Sequence, residues 1–342
     1  MDPDKHRIVH FVGSVNLASA EAVFAAIGQH VGDRAPRIPD GETGPRADWI
    51  VWQNHIFEDN PSFEEVTAID NEIRPDQPLR VYALKPGLTP ADVSFPPLGY
   101  ADTAVESFKA FSHAKALGRV PVDARFMIAI PSAPAIPALM IAGGRQAVGP
   151  WLPVFEAMLI AEANAIAEAL PVDQIAIQWD AAFEMNAIDK LDPALFESLA
   201  ESLAVLGNAT PDGIETCFHF CFGDYNGKGV PTETAAPAVR FANALAARLT
   251  RPPSLIHIPA PGDGTRAFFE PLKDLETDAR TRICLGLVHE RNGLAGTLDM
   301  MRAAAAVWPD FDIGAACGLG RRRPDAIPEI LDLLNASARA VL

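Results

Sequence analysis

Residues 174 to 180 read "QIAIQWD", a short apolar run that ends in an acid. A segment of helical period follows at 192 to 205, and a second apolar run, "ETCFHFC", comes next at 215 to 221. Short apolar runs that alternate with longer helical segments predict parallel strands covered by helices. This alternation continues along the whole chain and indicates an α/β fold.

The alternation predicts eight strands, each paired with a helix. The other strands are expected at 7 to 14, 35 to 41, 124 to 130, 254 to 260, 282 to 288 and 311 to 317. The other helices are expected at 18 to 30, 103 to 117, 150 to 169, 233 to 249, 265 to 276, 293 to 307 and 326 to 340. Eight strand–helix pairs predict a single (β/α)8 barrel, the TIM barrel. We interpret the proline-rich residues 42 to 102 as an excursion over the barrel mouth, so that residues 1 to 342 form one domain.

Charge and hydropathy argue against several classes of function. The formal net charge is −16 and no extended cluster of Lys and Arg is present, which argues against binding to nucleic acid or to an anionic membrane. The most apolar stretch, residues 151 to 170, is interrupted by Glu156 and Glu162, and the N-terminus lacks a secretory apolar region. We therefore expect a cytoplasmic protein with reduced cysteines that acts on small molecules.

Active sites of TIM barrels form at the C-terminal ends of the strands, so the polar residues there are considered together. They are Ser14, Asp40, Glu42, Asp180, His219, Cys221, His257, His289 and Cys317. Polar side chains that converge from separate strands are difficult to explain as core packing. The sequence therefore predicts a binding or catalytic site at this end of the barrel.

The spacing of His219 and Cys221 suggests metal binding. Residues two apart in a strand face the same side, and the barrel can bring Cys317 towards them across its mouth. One histidine and two cysteines from strand ends suit a zinc site with an open coordination position. Spacing alone leaves open that these residues only pack in the core, which is the role we expect for Cys217 and Cys284.

Five segments resemble the C-terminal catalytic domain of cobalamin-independent methionine synthase and its zinc-dependent thiol alkyltransferase relatives. They are "VGSV" at 12 to 15, "DGETGPRADWI" at 40 to 50, "IAIQWD" at 175 to 180, "HFC" at 219 to 221 and "CGLG" at 317 to 320, in the family's order. The resemblance implies a (β/α)8 barrel, in a superfamily that also contains uroporphyrinogen-decarboxylase-like barrels.

The resemblance also implies roles for individual residues. It implies a Zn²⁺ ion held by His219, Cys221 and Cys317. It implies further that the amino-acid part of a thiol substrate is held by Gly13, Ser14, Glu42 and Asp180.

Two departures from the family pattern affect these roles. The family's fourth zinc ligand is a glutamate on the sixth strand, where "SLIHIPAPGDG" has Pro259 instead. His257 lies two residues earlier on the same face, and we expect it to serve as a substitute ligand. The family's Asp-Glu-Pro is replaced by Asp180-Ala181-Ala182, so a folate donor is not implied.

These observations predict a transferase that moves a methyl or other alkyl group to a small thiol, which zinc would bind as a thiolate. Glu42 and Asp180 are expected to bind the ammonium group of an amino-thiol, and Asp180 and His289 are the predicted catalytic residues. Trp179, together with Trp49 and Trp52, is a candidate for stacking on a flat alkyl donor.

Three alternatives remain open on sequence alone. One is a metal-free lyase like uroporphyrinogen decarboxylase, in which the cysteines only pack. Another is an alkyltransferase that opens epoxides or removes methyl groups with the same zinc site. The last is a barrel that binds a ligand without catalysis. The sequence does not indicate the oligomeric state or identify the thiol and the alkyl donor.

Overall fold

The computed structural model of the protein describes residues 7–71, 75–188, 191–223 and 232–342, and its main feature is an eight-stranded parallel sheet. The strands in chain order are β1 (Val9–His10), β2 (Arg37–Pro39), β3 (Phe63–Ile69), β4 (Leu79–Leu84), β5 (Arg125–Pro131), β6 (Ile175–Ala181), β7 (Glu215–Phe220), β8 (Leu255–Pro259), β9 (Arg282–Val288) and β10 (Asp312–Ala315). All except β3 and β4 belong to this sheet.

The sheet curves into a barrel in the order β1-β10-β9-β8-β7-β6-β5-β2, with every neighbouring pair parallel. Just beyond the ends of β1 and β2, Ser14 pairs with Gly41, and the backbone N–H of Val15 donates to the Gly41 carbonyl at 2.9 Å. These contacts join the first strand to the last one in the sheet order. The predicted (β/α)8 barrel is confirmed, and the eight predicted strands all occur in it.

Helices connect the strands and cover the barrel. They are α1 (Ala20–His30), α2 (His55–Glu58), α3 (Tyr100–Ala116), α4 (Ala135–Met140), α5 (Val148–Ala169), α6 (Ala182–Ala187), α7 (Pro193–Ala209), α8 (Ala236–Ala246), α9 (Arg266–Phe269), α10 (Gly293–Ala305) and α11 (Ile327–Arg339). The side chains of Ser19 and Asp192 cap α1 and α7 by accepting backbone N–H groups of the first turn. The helix predicted at 265 to 276 is much shorter, because Pro271 cannot continue the α-helical hydrogen bonding and a 3₁₀ turn, Glu270–Asp274, follows.

The segment between β2 and α3 contains an element that the sequence did not predict. Strands β3 and β4 form an antiparallel hairpin, and β3 is exposed at every residue except Phe63. A strand with so little burial lacks the apolar run by which the other strands were recognised. Whether residues 42 to 102 act as one excursion within a single domain remains a prediction.

The barrel strands are buried on both faces, as parallel strands covered by helices should be. Between strands and helices, Phe24 of α1 packs edge-on against Phe111 of α3, with ring centroids 5.4 Å apart. Inside the barrel, Cys217 and Cys284 form a small buried cluster with Leu255, which agrees with their predicted packing role. Burial raises the pKa of Cys217 to about 11, so this thiol stays protonated. No helix in the described part of the chain is long and apolar enough to span a membrane.

Candidate metal centre

A cavity of about 230 Å³ opens at the C-terminal ends of the strands. Six of the residues predicted for the site line this cavity: Ser14, Glu42, Asp180, His219, Cys221 and Cys317. They come from the ends of five different strands, β1, β2, β6, β7 and β10. The barrel therefore brings together residues that lie as much as 303 positions apart in the sequence, between Ser14 and Cys317.

One histidine and two cysteines form a compact group in the wall of the cavity. One ligand atom from each of His219, Cys221 and Cys317 can be chosen so that all three lie within 4.8 Å of one another. The two sulfur atoms are 3.6 Å apart. Two thiolates bound at 2.3 Å to a tetrahedral zinc ion would be separated by about 3.8 Å, so the sulfur positions fit such an ion.

Two strand ends place the sulfur atoms. The backbone N–H of Cys221 donates to the Ala181 carbonyl at 3.1 Å and so prolongs the pairing of β7 with β6. Cys317 follows β10, and the next turn is tied to the first strand because Leu319 N–H donates to the Ser14 carbonyl at 2.6 Å. A hydrogen bond with the Cys317 thiol and burial raise the pKa of Cys221, so this thiol keeps its proton until a cation replaces it.

The ring of His219 has one nitrogen available for a metal. Its Nδ1 atom lies 2.7 Å from Nδ1 of His257, whereas Nε2 is buried and has no hydrogen-bond partner within the described ranges. Burial lowers the pKa of His219 well below its usual range and that of His257 to about 3. Both rings are therefore neutral, which is the form of histidine that binds zinc.

His257 does not belong to the ligand group found among the described residues. Its predicted role as a fourth ligand remains a prediction, and its contact with His219 favours a different role.

Two carboxyl groups face the same cavity. Burial raises the pKa of Glu42 to about 8, with Asp40 adding to the effect and Arg46 opposing it. Burial also raises the pKa of Asp180 well above its usual range, and the charge of the nearby Glu42 adds to this shift. Two carboxyl groups in one cavity repel each other when ionised, so a proton or a bound cation must offset part of their charge.

A hydrogen-bonded chain inside the barrel orients Asp180. The Gln178 amide nitrogen donates to Asp180 Oδ1 at 2.8 Å, and the Gln178 amide oxygen lies 2.6 Å from His10 Nε2. Because an amide oxygen only accepts, His10 carries its proton on Nε2 and donates it. Gln178 is thereby fixed, and it holds one oxygen of Asp180 in place.

The turn that carries Glu42 is held by Asp40. Asp40 accepts hydrogen bonds from the backbone N–H of Glu42 at 2.9 Å and from the Ser107 hydroxyl at 2.6 Å, and it forms an ion pair with Arg46. Glu42 (φ 51°) and Trp49 (φ 47°) are the only non-glycine residues with left-handed backbone in the described ranges, and both line the cavity. Such strained conformations cluster at functional sites.

Gly13 brings the chain close to Glu42. It has φ 142°, and a Cβ atom there would lie 2.9 Å from the Ala129 side chain and 3.4 Å from Glu42 Oε1. A side chain at position 13 would therefore disturb both the barrel wall and the carboxyl group.

We expect Glu42→Gln to gain stability relative to the wild type as the pH rises. The folded-state pKa of about 8 exceeds the ordinary value of 4.5, so the folded protein binds more protons than the unfolded chain between these values. The wild type therefore loses the stability that protonated Glu42 contributes as the pH rises through this window, and the variant has no such contribution to lose. One pKa unit corresponds to about 1.4 kcal/mol, and because Glu42 is partly exposed we expect a gap of about 1 to 3 kcal/mol near pH 9.

Urea unfolding of both proteins at about pH 5 and pH 9 measures this gap. The exposed residue Glu106 gives a control, since Glu106→Gln should leave the pH dependence unchanged. Parallel stability curves for the wild type and Glu42→Gln would contradict the prediction.

Two sequence predictions are not matched by the geometry. Trp179 is fully buried on the helix side of β6, where its indole N–H donates to the Thr210 hydroxyl at 3.0 Å, so the prediction that it contacts substrate is wrong. Neighbouring residues of a strand face opposite sides, and Asp180 occupies the cavity side. His289 does not line the cavity, and its Nε2 atom lies 2.9 Å from the Ala260 carbonyl, so the structure gives its predicted catalytic role no support.

The cavity also contains residues that sequence reasoning missed or treated as minor. Arg321 lines it and forms an ion pair with Asp48 at 3.4 Å, and Trp49 and Asn186 line it as well. Glu184 is buried nearby, where it accepts a hydrogen bond from the Ser132 hydroxyl at 3.0 Å, and burial raises its pKa to about 7. Asn186 and Glu184 lie on the short helix α6, which no sequence pattern marked as functional.

Gly318 is required by the close approach of two segments. A Cβ atom at this position would lie 2.2 Å from the Ser14 hydroxyl oxygen, and only 3.4 Å from Ser14 Cβ. We expect Gly318→Ala to destabilise the fold by about 1 to 3 kcal/mol, as overpacking does, and to shift the neighbouring Cys317.

The double variant Gly318→Ala/Ser14→Ala removes the clashing oxygen and should recover most of the lost stability. Unfolding free energies of the single and double variants test this coupling. Equal losses in the single and the double variant would show that the contact with Ser14 is not the cause.

Together these features define a class of protein: a (β/α)8 barrel with a His/Cys/Cys candidate metal centre and two carboxyl groups at the strand ends. A scan against protein-family models finds no match, and a search of curated proteins finds no similar sequence.

Solved structures do share the fold. A B12-independent methionine synthase from Shewanella sp. W3-18-1, in complex with selenomethionine, is 13% identical with a TM-score of 0.61, over 97% of this chain and 96% of that chain. A proposed vitamin-B12-independent methionine synthase from Listeria monocytogenes is 14% identical with a TM-score of 0.58, over 97% and 98%. A methyltransferase from Methanosarcina mazei is 15% identical with a TM-score of 0.55, over 98% and 94%. At these identities the likeness establishes the fold, and the fold implied by the sequence resemblance is confirmed.

Proposed function

We propose that the protein is a zinc-dependent alkyltransferase that transfers a methyl group to the sulfur of a small thiol. The observation that carries this proposal is the group of His219, Cys221 and Cys317 in one cavity with two carboxyl groups. Two further observations support methyl as the transferred group: the motif resemblance, and the methionine synthase and methyltransferase descriptions of the structural neighbours.

The donor set fits zinc in number, chemistry and spacing. His219, Cys221 and Cys317 supply three ligands, one fewer than a tetrahedral site takes, which leaves one position for the substrate. When bound, zinc lowers the pKa of a thiol that it coordinates and so supplies a thiolate near neutral pH. The proposal also requires Cys221 and Cys317 to stay reduced, as cysteines do in the cytoplasm.

Glu42 and Asp180 orient the thiol substrate in this proposal. Burial raises the pKa of both groups, and the charge of Glu42 adds to the shift of Asp180, so the ammonium group of an amino-thiol would offset both effects. Gly13 lies close to the carboxyl group of Glu42, and Ser14 lines the same cavity. The expected acceptor is therefore a small thiol that carries a primary amine.

Arg321 and Trp49 are the residues that we expect to meet the alkyl donor. Both line the cavity, and Arg321 is the cation that an anionic donor would contact. Trp49 offers an aromatic surface for a flat group.

Metal analysis and thiol binding together test the proposal. Protein purified without chelator should contain about one zinc per chain, and less than about a third of an equivalent would count against the site. In protein loaded with Co²⁺ instead, L-homocysteine should add a sulfur-to-metal charge-transfer band. Methyl transfer to L-homocysteine is then assayed with a methylated folate, a methylated corrinoid and a sulfonium compound as donors.

The outcomes separate the alternatives. A metal-free protein of unchanged fold would favour the lyase alternative, in which acid and arginine groups act without zinc. Zinc binding with no spectral response to thiols would reject alkyl transfer to sulfur at this site.

A further inference from the structure

His257 is a fully buried histidine that the proposed reaction does not yet use. It lies on β8 directly opposite His219 of β7 in the strand register, so the two side chains point to the same face of the sheet. Their Nδ1 atoms are 2.7 Å apart, and their ring centroids are 4.8 Å apart. A contact this short between two neutral rings requires one to donate and the other to accept.

The direction of this hydrogen bond follows from the ligand role of His219. If Nε2 of His219 binds a metal, its proton must sit on Nδ1, and Nδ1 then donates to Nδ1 of His257. His257 accepts there and carries its own proton on Nε2. The hydrogen bond therefore selects one tautomer for each ring.

The surroundings of His257 are shaped to hold its ring. Its Nε2 atom lies against strands β9 and β10, where a Cβ atom added at Gly286 or Gly314 would come within 3.0 or 2.9 Å of it. The two glycines leave the space that the imidazole occupies. Gly314 is three residues before Cys317, so the pocket for His257 is built partly from the strand that places a metal ligand.

We propose that His257 is a positioning residue: its Nδ1 accepts a hydrogen bond from the Nδ1–H of His219 and thereby directs the free Nε2 of that ring to the metal, without becoming a ligand itself. This inference rests on the proposed zinc site. It also accounts for a site with three protein ligands, because the glutamate expected from the resemblance is replaced by Pro259 and His257 is engaged with His219. The fourth position stays available to the thiol.

Two variants and two measurements test this role. His257→Leu removes the hydrogen bond at similar volume, and His257→Asn keeps a side-chain acceptor near the position of Nδ1. Loss of such an outer partner typically weakens metal binding about 10- to 100-fold. We expect that loss for His257→Leu and a smaller loss for His257→Asn, measured as the zinc Kd of apo-protein by competition with a chromophoric chelator. Thermal unfolding of the apo-proteins shows whether each variant is folded.

X-ray absorption at the zinc edge of the wild-type protein gives an answer that depends on no variant. We expect one imidazole and two sulfur ligands per zinc. Two imidazoles would make His257 a ligand and overturn the inference, while the proposed function would stand. An unchanged Kd in folded His257→Leu would overturn it as well. If the wild type bound no zinc at all, the proposed function itself would be rejected. This result differs from the two above, which reject only the role of His257.

Discussion

Cys317→Ser should fold normally, lose its zinc and lose methyl transfer. Cys317 supplies one of the two sulfur atoms that lie 3.6 Å apart, and serine is a poor zinc ligand in its place. We expect zinc affinity to fall by more than the roughly 100-fold that loss of an outer partner causes. A free thiol is only about a few per cent ionised at pH 7, so alkyl transfer should fall with the metal.

Zinc content by mass spectrometry and the rate of methyl transfer measure this effect, and Cys221→Ser should behave in the same way. Cys284→Ala is a matched control, because Cys284 is a buried cysteine that packs with Cys217 and Leu255 and does not line the cavity. The Cys284→Ala variant should retain the zinc content of the wild type. Full zinc in Cys317→Ser, or equal zinc loss in Cys284→Ala, would remove the basis for the proposed centre.

Asp180→Asn should weaken binding of amino-thiols without affecting zinc. The carboxyl group faces the cavity, and Gln178 fixes one of its oxygens, so an ammonium group would bind the other through a charge-assisted hydrogen bond. Such bonds contribute about 1.5 to 3 kcal/mol, which predicts a loss of affinity for L-homocysteine of roughly 10- to 150-fold. Calorimetric titration of the zinc protein measures it.

The thiol 4-mercaptobutanoate provides the matched comparison, since it lacks only the amino group. Its affinity should be nearly the same for the wild type and Asp180→Asn. Equal losses of affinity for both thiols would show that Asp180 acts on the sulfur end of the substrate or on the fold. If the two carboxyl groups share the ammonium group, Glu42→Gln should likewise weaken binding of L-homocysteine and not that of 4-mercaptobutanoate.

The barrel could be predicted because its signal is local. Each barrel strand is buried on both faces, so it reads as a short apolar run, and the intervening helices carry their own periodicity. The β3–β4 hairpin was not predicted because β3 exposes nearly all of its residues and has no such apolar run. Strand ends also show where polar residues converge, which is how Ser14, Asp180 and Cys317 were found together.

The errors at the site arise where position depends on tertiary structure. Trp179 was chosen for its closeness in sequence to Asp180, although alternation places it on the opposite face. The ligand role of His257 remains a prediction, but its contact with His219 could not be foreseen, because the register of β7 with β8 that creates this contact is not visible in either strand alone. Arg321 and Asn186 enter the cavity from a loop and a short helix that no periodicity defines.

The join between β1 and β2 has a consequence for how the protein would respond to its ligands. Within the described ranges these strands share no ladder, and the barrel is completed by the pairing of Ser14 with Gly41 and by the hydrogen bond from the Val15 N–H to the Gly41 carbonyl. So sparse a seam should open at lower free energy than the rest of the sheet. Ser14 and Glu42 lie at this seam and line the cavity, so thiol binding there would stabilise the closed seam by mass action, and hydrogen exchange at the seam would report occupancy of the site.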